Sequence, residues 1–256
     1  MSVVEVQTER GILTATLSDV DNRNALGLDI LSELHGVVER ANAEPSIRAV
    51  VVTNVGNTFC AGANLKERAG ARAPSASERK PVAFDAVLRA IQTSPTPIIG
   101  KINGHVMGGG NGLVATLDIS IAKDDAKFGF TEVRLGVVPA IISVVCLPKM
   151  RQAEAMEAFL RGHRFPATRA AELGLINRAV PEAELDAAVE EVLEDLRKAG
   201  PNALGIAKRL VHEVPLMTQK DAFEWTSKLS GELFKSDEAK EGMTAFLQRR
   251  PAEWTK

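Results

Sequence analysis

The first fifty residues change from one hydrophobic period to another. In VVEVQTERGILTATLS the apolar residues recur at every second position, which predicts two strands joined by a turn near Arg10 and Gly11. From Leu28 to Ala41 they recur at helical spacing, and Pro45 ends the predicted helix. The stretch IRAVVVTNVG that follows is apolar almost throughout, which is typical of a strand buried on both faces.

The middle of the chain repeats this rhythm. Helical spacing in VAFDAVLRAIQTSP precedes the apolar TPIIGKI, and GLVATLD precedes ISIAKDDAKFGF. Strand, helix and strand in this order predict an α/β domain with a parallel or mixed sheet. The polar segment Lys66–Lys80, rich in Ala, Ser and Pro, predicts a surface loop or a short helix followed by a loop.

Beyond about Gln152 nearly every segment fits a helix, and one short strand is expected at INRAV. We therefore divide the chain into a core of residues 1–198 and a helical region of residues 199–256. An appendage of this kind commonly covers the first domain or packs against a partner subunit.

Composition narrows the class of protein. The 256 residues are 45% hydrophobic and 25% charged, which suits one large folded domain. The net charge of -2, the absence of Tyr and the lack of any Lys/Arg block argue against nucleic-acid binding.

The longest uncharged run, Ile102–Leu117, is shorter than the roughly 20 residues of a membrane span. Because the N-terminus carries no secretory signal pattern, a cytoplasmic location is expected. Cys60 and Cys146 lie in apolar stretches, so we expect both to be reduced thiols in the core. No Cys or Cys/His spacing typical of a metal site is present in the sequence.

The stretch HVMGGGNGLVA places four glycines among the five residues 108–112. Each glycine costs a helix about 1 kcal/mol relative to alanine, so the backbone itself must be needed here. One interpretation is a tight, closely packed strand-to-helix connection. A second is a dinucleotide fingerprint, since Gly110–Ala115 fits G-x-G-x-x-A, although no ribose-binding acid follows at the expected distance. The third is an oxyanion site, in which a backbone N–H at a helix N-terminus stabilises a developing negative oxygen.

An oxyanion site needs a second donor, and NTFCAGANLKER offers one. A strand is expected to end near Phe59 and Cys60, turn at Ala61–Ala63, and enter a short helical stretch. Taken alone, this is an ordinary turn of small residues.

Three separated stretches together are more specific. FCAGANLKE, PTPIIGKINGHVMGGG and FGFTEVRLGVVP, in this order and spacing, resemble the crotonase superfamily of enoyl-CoA hydratases and isomerases. The resemblance covers essentially the whole chain. It implies a spiral core of ββα turns with a helical C-terminal region that mediates trimers, often paired into hexamers.

The resemblance also implies a site for an acyl-CoA thioester. Its carbonyl oxygen would be held between the backbone N–H groups of Ala61 and Gly109, with Glu132 as the general acid/base. A carboxylate beside an acyl pocket can have a raised pKa through desolvation, which suits this role near neutral pH. Coenzyme A would be part of the substrate, and no separate cofactor is expected.

The remaining substrate contacts implied by the resemblance lie on the same turns. Arg23 and Ala25 resemble residues near the pantetheine and nucleotide, and Lys66 and Arg68 either meet CoA phosphates or are solvated. The bent CoA path would be lined by Ala61, Gly62, Ala63, Asn64, Gly108 and Gly109. Asn64 departs from the family, in which this position is usually Asp.

Two further departures concern the reaction. Typical hydratases carry a second glutamate at the position of Gly112, and many have a Gly-rich PGGGGTQ where this chain has Pro139-Ala-Ile-Ile-Ser-Val-Val. TEVRLGVVPAIIS and FCAGANLKER look like the methylglutaconyl-CoA hydratase branch, so a hydratase of a 2-enoyl-CoA, with a branched acyl chain as one option, is favoured. An isomerase that uses Glu132 alone, and a non-catalytic acyl-CoA-binding protein, stay open as alternatives.

Overall fold

The computed structural model describes residues 2–70 and 81–255. Its strands are β1 Val4–Glu9, β2 Ile12–Leu17, β3 Ala49–Asn54, β4 Thr58–Cys60, β5 Ile98–Ile102, β6 His105–Met107, β7 Ile119–Lys123, β8 Lys127–Gly129, β9 Phe165–Pro166 and β10 Arg178–Val180.

The α-helices alternate with the strands as far as residue 180 and then follow one another. They are α1 Leu28–Ala43, α2 Leu65–Arg68, α3 Phe84–Thr93, α4 Gly109–Thr116, α5 Ala140–Cys146, α6 Gln152–Arg161, α7 Ala167–Glu172, α8 Leu185–Lys198, α9 Pro201–Glu213, α10 Gln219–Leu233 and α11 Asp237–Gln248.

The strands form two sheets, and successive turns of the chain contribute to both. The six-stranded sheet has the order β1-β2-β3-β5-β7-β10, and the four-stranded sheet has the order β4-β6-β8-β9. Thus β3, β5 and β7 enter the large sheet, and β4, β6 and β8, which follow them in the chain, enter the small one. Helices α3 and α4 return the chain to the next strand of the large sheet. This is a spiral of ββα turns, and the fold class expected from the sequence is confirmed.

Burial explains the apolar runs. All six residues of β3 are buried, because helices cover both faces of the large sheet. On one face lies α1, whose seven buried residues recur at helical spacing. On the other face α8 buries Leu185, Val189 and Leu193 against Val51 and neighbouring strand residues.

The sequence predictions fail where tertiary contacts outweigh local signals. Helix α4 begins at Gly109, three residues before its helical spacing becomes recognisable in the sequence at Gly112. Gly110 lets the helix lie against β4, because a Cβ there would be 2.8 Å from the Cys60 carbonyl oxygen. The short strand expected at INRAV is confirmed as β10, whereas the second strand beyond Gln152, Phe165–Pro166, was not predicted and pairs with β8. The strand β6 is too short to have been predicted. For the segment Lys66–Lys80, Lys66–Arg68 lie in α2 and residues 71–80 lie outside the described residues.

The division proposed at residues 198 and 199 falls in the break between α8 and α9. Helices α9 and α10 contain no buried residue, and α11 contains one, Ala245. Arg48 joins the two parts, because its guanidinium donates to the carbonyls of Ala199 at 2.6 Å and Trp254 at 2.8 Å. Among the described residues, no helix has the length and apolar character needed to cross a membrane.

Candidate active site

Three parallel strands of the small sheet end at the same edge. Strand β6 pairs in parallel with β4 on one side and β8 on the other. The chain leaves β4 into Ala61–Ala63, leaves β6 into Gly108 and Gly109, and leaves β8 into the short helix that contains Glu132. The sheet therefore brings together three sequence stretches that are far apart in the chain. Ligands commonly bind at the carboxyl ends of parallel strands for this reason.

The turn after β4 corrects the expected oxyanion donor. The N–H of Ala61 donates to the carbonyl of Arg23 at 3.1 Å, so it is not available to a substrate oxygen. Ala63 forms an isolated parallel bridge with Leu26. The Leu26 N–H donates to the Gly62 carbonyl, and the Asn64 N–H donates to the Leu26 carbonyl. The bridge therefore uses the Gly62 carbonyl and the Asn64 N–H, and the N–H of Ala63 points away from Leu26. The Ala63 N–H has no acceptor among the described residues, so of the two alanines it is Ala63 whose N–H is open to a ligand.

No period or spacing in the sequence distinguishes these two alanines. The distinction depends on Gly62, which has φ +87° and reverses the chain between them. The fold gives Gly62 a second constraint: a Cβ there would lie 2.9 Å from the Met107 carbonyl oxygen and 3.1 Å from the Gly109 nitrogen. The turn after β4 therefore contacts the start of α4.

The start of α4 supplies a second free donor. Gly108 precedes the helix with φ 52° and ψ -127°, a conformation that essentially only glycine adopts. Gly109 follows in the first helical position, where the N–H has no partner within its own helix, and the described residues offer it no other acceptor. The Ala63 nitrogen lies 3.8 Å from the place of a Cβ on Gly109. The N–H groups of Ala63 and Gly109 are thus neighbours at the positive end of a helix.

Glu132 faces these donors from the third strand end. Its Oε1 lies 3.5 Å from the place of a Cβ on Gly108, and its Oε2 is buried without a hydrogen-bond partner among the described residues. The residue as a whole is half-buried, and this burial raises the pKa of its carboxyl. A carboxylate that lacks a salt-bridge partner and lies beside two unused N–H groups is suited to exchanging a proton with a bound molecule.

The position of the second family glutamate is closed. A Cβ on Gly112 would lie 2.2 Å from Cγ2 and 2.7 Å from Cβ of Ile142. Ile142 is itself only 2% exposed, so it is packed tightly on its other sides as well. Gly112 is therefore enforced by packing, and Glu132 is the carboxylate that the described residues place at this edge.

The other predicted contact residues are distributed around the same turns. Arg23 is exposed in the left-handed conformation, and Ala25 is buried behind it. Asn64 is a structural cap: its Oδ1 accepts from the N–H groups of Lys66 and Glu67, and its Nδ2 donates to Glu67 Oε1 at 3.0 Å. Both polar atoms of the Asn64 side chain are thus used within the protein.

The lysine expected near the CoA phosphates has a partner, and both cysteines lie away from solvent. Lys66 Nζ donates to Asn22 Oδ1 at 3.0 Å on the exposed side of α2.

Cys60 and Cys146 are buried free thiols, as predicted, and burial raises the pKa of each to about 12.

Known proteins resemble this chain over nearly its whole length. The family model of enoyl-CoA hydratase/isomerase matches residues 7–256. The enoyl-CoA hydratase EchA19 of Mycobacterium tuberculosis is 30% identical over 244 residues, which is 93% of this chain and 91% of that protein. Among solved structures, AtuE of Pseudomonas aeruginosa superposes with a TM-score of 0.90 at 30% identity, covering 99% of this chain and 100% of that one. An enoyl-CoA hydratase/isomerase from Marinobacter aquaeolei superposes with a TM-score of 0.91 at 29% identity, covering 100% of both chains.

The chain belongs to the enoyl-CoA hydratase/isomerase family, and it is an enzyme of the crotonase superfamily. The dinucleotide interpretation of the glycines is thereby set aside.

Proposed function

We propose that this enzyme adds water to the double bond of a 2-enoyl-CoA thioester, with Glu132 as its single acid/base. One observation carries the proposal: the unused N–H groups of Ala63 and Gly109 are neighbours, and the Glu132 carboxylate, whose Oε2 has no hydrogen-bond partner among the described residues, faces the same turn. The two donors would bind the thioester oxygen, which places C2 and C3 of the acyl chain beside Glu132.

The addition then proceeds in two proton transfers. Glu132 accepts a proton from water while the water oxygen bonds to C3, and the π electrons move through C2 to the thioester oxygen. The two N–H groups stabilise the resulting enolate, and one such donor contributes about 3–4 kcal/mol to the rate. Glu132 then returns its proton to C2 and the carbonyl re-forms. Because one carboxylate serves both carbons, the two new bonds form on the same face, and no redox or metal cofactor is required.

A branched acyl chain is the preferred substrate class within this proposal. Its support is the resemblance of TEVRLGVVPAIIS to the methylglutaconyl-CoA hydratase branch, together with the apolar surroundings of the donors. Side-chain atoms of Leu26 and Phe84 lie 3.1 and 3.5 Å from the place of a Cβ on Gly109.

The alternative reaction is double-bond isomerisation, and one observation favours it. Ile142 occupies the place of a side chain at position 112, so Glu132 has no second carboxylate beside it. An isomerase needs only one carboxylate, which moves a proton between two carbons. A hydratase needs its carboxylate to activate water as well. Incubation of crotonyl-CoA and 3-methylglutaconyl-CoA in ¹⁸O-labelled water, followed by mass spectrometry, separates the two. A hydratase yields a labelled 3-hydroxyacyl-CoA, whereas an isomerase yields a product of unchanged mass.

We further propose that the C-terminal helices pack against other copies of the chain in a trimer, or in a dimer of trimers. Leu216 is 86% exposed, and Phe246 and Leu247 on α11 are 83% and 80% exposed. Adjacent exposed apolar side chains such as Phe246 and Leu247 mark interaction surfaces. Light scattering is expected to give three or six chains for the natural protein, and Phe246→Glu is expected to give smaller species. A natural protein that is monomeric at micromolar concentration would contradict this assembly.

A further inference from the structure

The closed position at residue 112 involves two elements that the sequence keeps apart. Gly112 lies in α4, one helical turn after Gly109, and residues at this spacing share a helix face. Ile142 lies in α5, which follows the segment that carries Glu132. A side chain at position 112 would therefore project beside the oxyanion donors, and Ile142 occupies that place.

The obstruction includes the Cβ of Ile142 as well as its Cγ2. Its Cγ2 and Cβ lie 2.2 and 2.7 Å from the place of a Cβ on Gly112, while its Cα lies at 3.4 Å. An alanine at position 142 would keep the Cβ contact, which is shorter than real Cβ contacts. A glycine would leave only the Cα, at ordinary van der Waals distance. Hence a side chain at position 112 requires a glycine at position 142.

The sequence departures pair in the same way. Where many hydratases have Glu at the first position, this chain has Gly112, and where they have the fourth residue of PGGGGTQ, a glycine, this chain has Ile142. In this chain the glycine of the α4–α5 contact is residue 112 in α4, and the large residue is Ile142 in α5. Two departures that look independent in the sequence are one exchange in the structure.

We propose that Ile142 determines how many carboxylates act at this site. Its packing against Gly112 excludes a second acid and leaves water activation to Glu132. This inference rests on the proposed hydratase function. It predicts that Gly112→Glu becomes compatible with the fold, and useful in catalysis, only together with Ile142→Gly.

The test compares four proteins: the natural enzyme, Gly112→Glu, the pair Gly112→Glu with Ile142→Gly, and the pair Gly112→Gln with Ile142→Gly. The two pairs have the same volume and differ only in the carboxylate. Hydration of crotonyl-CoA is followed by ultraviolet absorbance from pH 5 to 9, and melting temperatures are recorded for all four.

We expect the pair with Glu to hydrate crotonyl-CoA at least tenfold faster than the pair with Gln, since a positioned acid/base contributes about 10²–10⁴-fold. Its pH profile should show a second ionisation that the natural enzyme and the Gln pair lack. Gly112→Glu alone should melt well below the pair. Equal rates for the two pairs, or a stable and fully active Gly112→Glu, would overturn the proposal.

A second measurement covers the case in which neither pair folds. Gly112→Ala should lower the melting temperature strongly in the natural background and much less in the Ile142→Gly background. Equal losses in both backgrounds would show that Ile142 does not exclude the side chain. Failure of the proposed function gives a different result, because the natural enzyme would then hydrate no enoyl-CoA while the stability coupling persisted.

Discussion

Lys208 Nζ lies 2.9 Å from Asp118 Oδ2, and both side chains are nearly buried, at 8% and 17% exposed. The lysine comes from α9 in the C-terminal region, and Asp118 follows α4, whose first residue is Gly109. Asp118 also accepts from the backbone N–H of Ile98 at 2.7 Å, and Lys208 donates to the Ile91 carbonyl at 2.7 Å. The pair thus joins the C-terminal helices to the end of the helix that begins at the candidate site.

Lys208→Met is expected to destabilise the protein by about 3–5 kcal/mol at pH 7, because it removes the cation in direct contact with the buried Asp118 carboxylate. Asp118→Asn combined with Lys208→Met should regain part of this loss. Urea unfolding of the variants measures both effects. A loss for Lys208→Met below about 1 kcal/mol, the range of exposed ion pairs, would contradict the buried character of this contact.

The same variant should have a characteristic pH dependence. Burial raises the pKa of Asp118, and removing Lys208 raises it further. A carboxyl whose pKa is higher in the folded state binds more protons there, so stability falls as pH rises from its ordinary pKa toward the raised one. Lys208→Met should therefore be closest to the natural protein at about pH 4. A deficit that is constant from pH 4 to 8 would exclude this explanation.

Glu132→Gln should abolish hydration while stabilising the fold. Burial raises the pKa of Glu132, so the charged form at pH 7 costs folding free energy that a neutral amide does not. The variant should melt above the natural protein at pH 7, and the difference should disappear below about pH 4, where the carboxyl is neutral in both states. A variant that melts lower at pH 7 would show that the carboxylate has a stabilising partner.

Gly62→Ala should damage the oxyanion site through its neighbour. The new Cβ would lie 2.9 Å from the Met107 carbonyl and 3.1 Å from the Gly109 nitrogen, so the two turns must separate. We expect kcat to fall about 10²–10³-fold, the loss typical of one oxyanion donor. Gly70→Ala is the matched control, because Gly70 also has positive φ, at 71°, and no atom of the described residues lies within 4 Å of the new Cβ. Equal losses for the two variants would mean that only backbone strain matters.

Sequence patterns predicted those parts of the fold in which local periodicity and burial agree. Strand β3 and helix α1 are of this kind, because each is long enough for its period to be recognised. The three-residue strand β6 and the two-residue strand β9 are held by pairing with β8 and carry no period of their own.

The candidate site followed the same rule. The resemblance of three stretches predicted Glu132, Gly109 and the turn at residues 61–64, and the structure brings these three together. The resemblance did not separate Ala61 from Ala63, since that depends on which N–H the carbonyl of Arg23 occupies. The reason for Gly112 was also hidden, because Ile142 lies 30 residues away in the chain and meets it only through the contact of α4 with α5.

The central claim is that Glu132 alone hydrates an enoyl-CoA thioester held by Ala63 and Gly109. The most direct measurement is the ultraviolet absorbance of the conjugated thioester in crotonyl-CoA and 3-methylglutaconyl-CoA, with the natural enzyme and with Glu132→Gln. We predict that the natural enzyme removes this absorbance for at least one substrate and that Glu132→Gln removes it for neither. Loss of absorbance at the same rate in both proteins, or in neither, would contradict the claim.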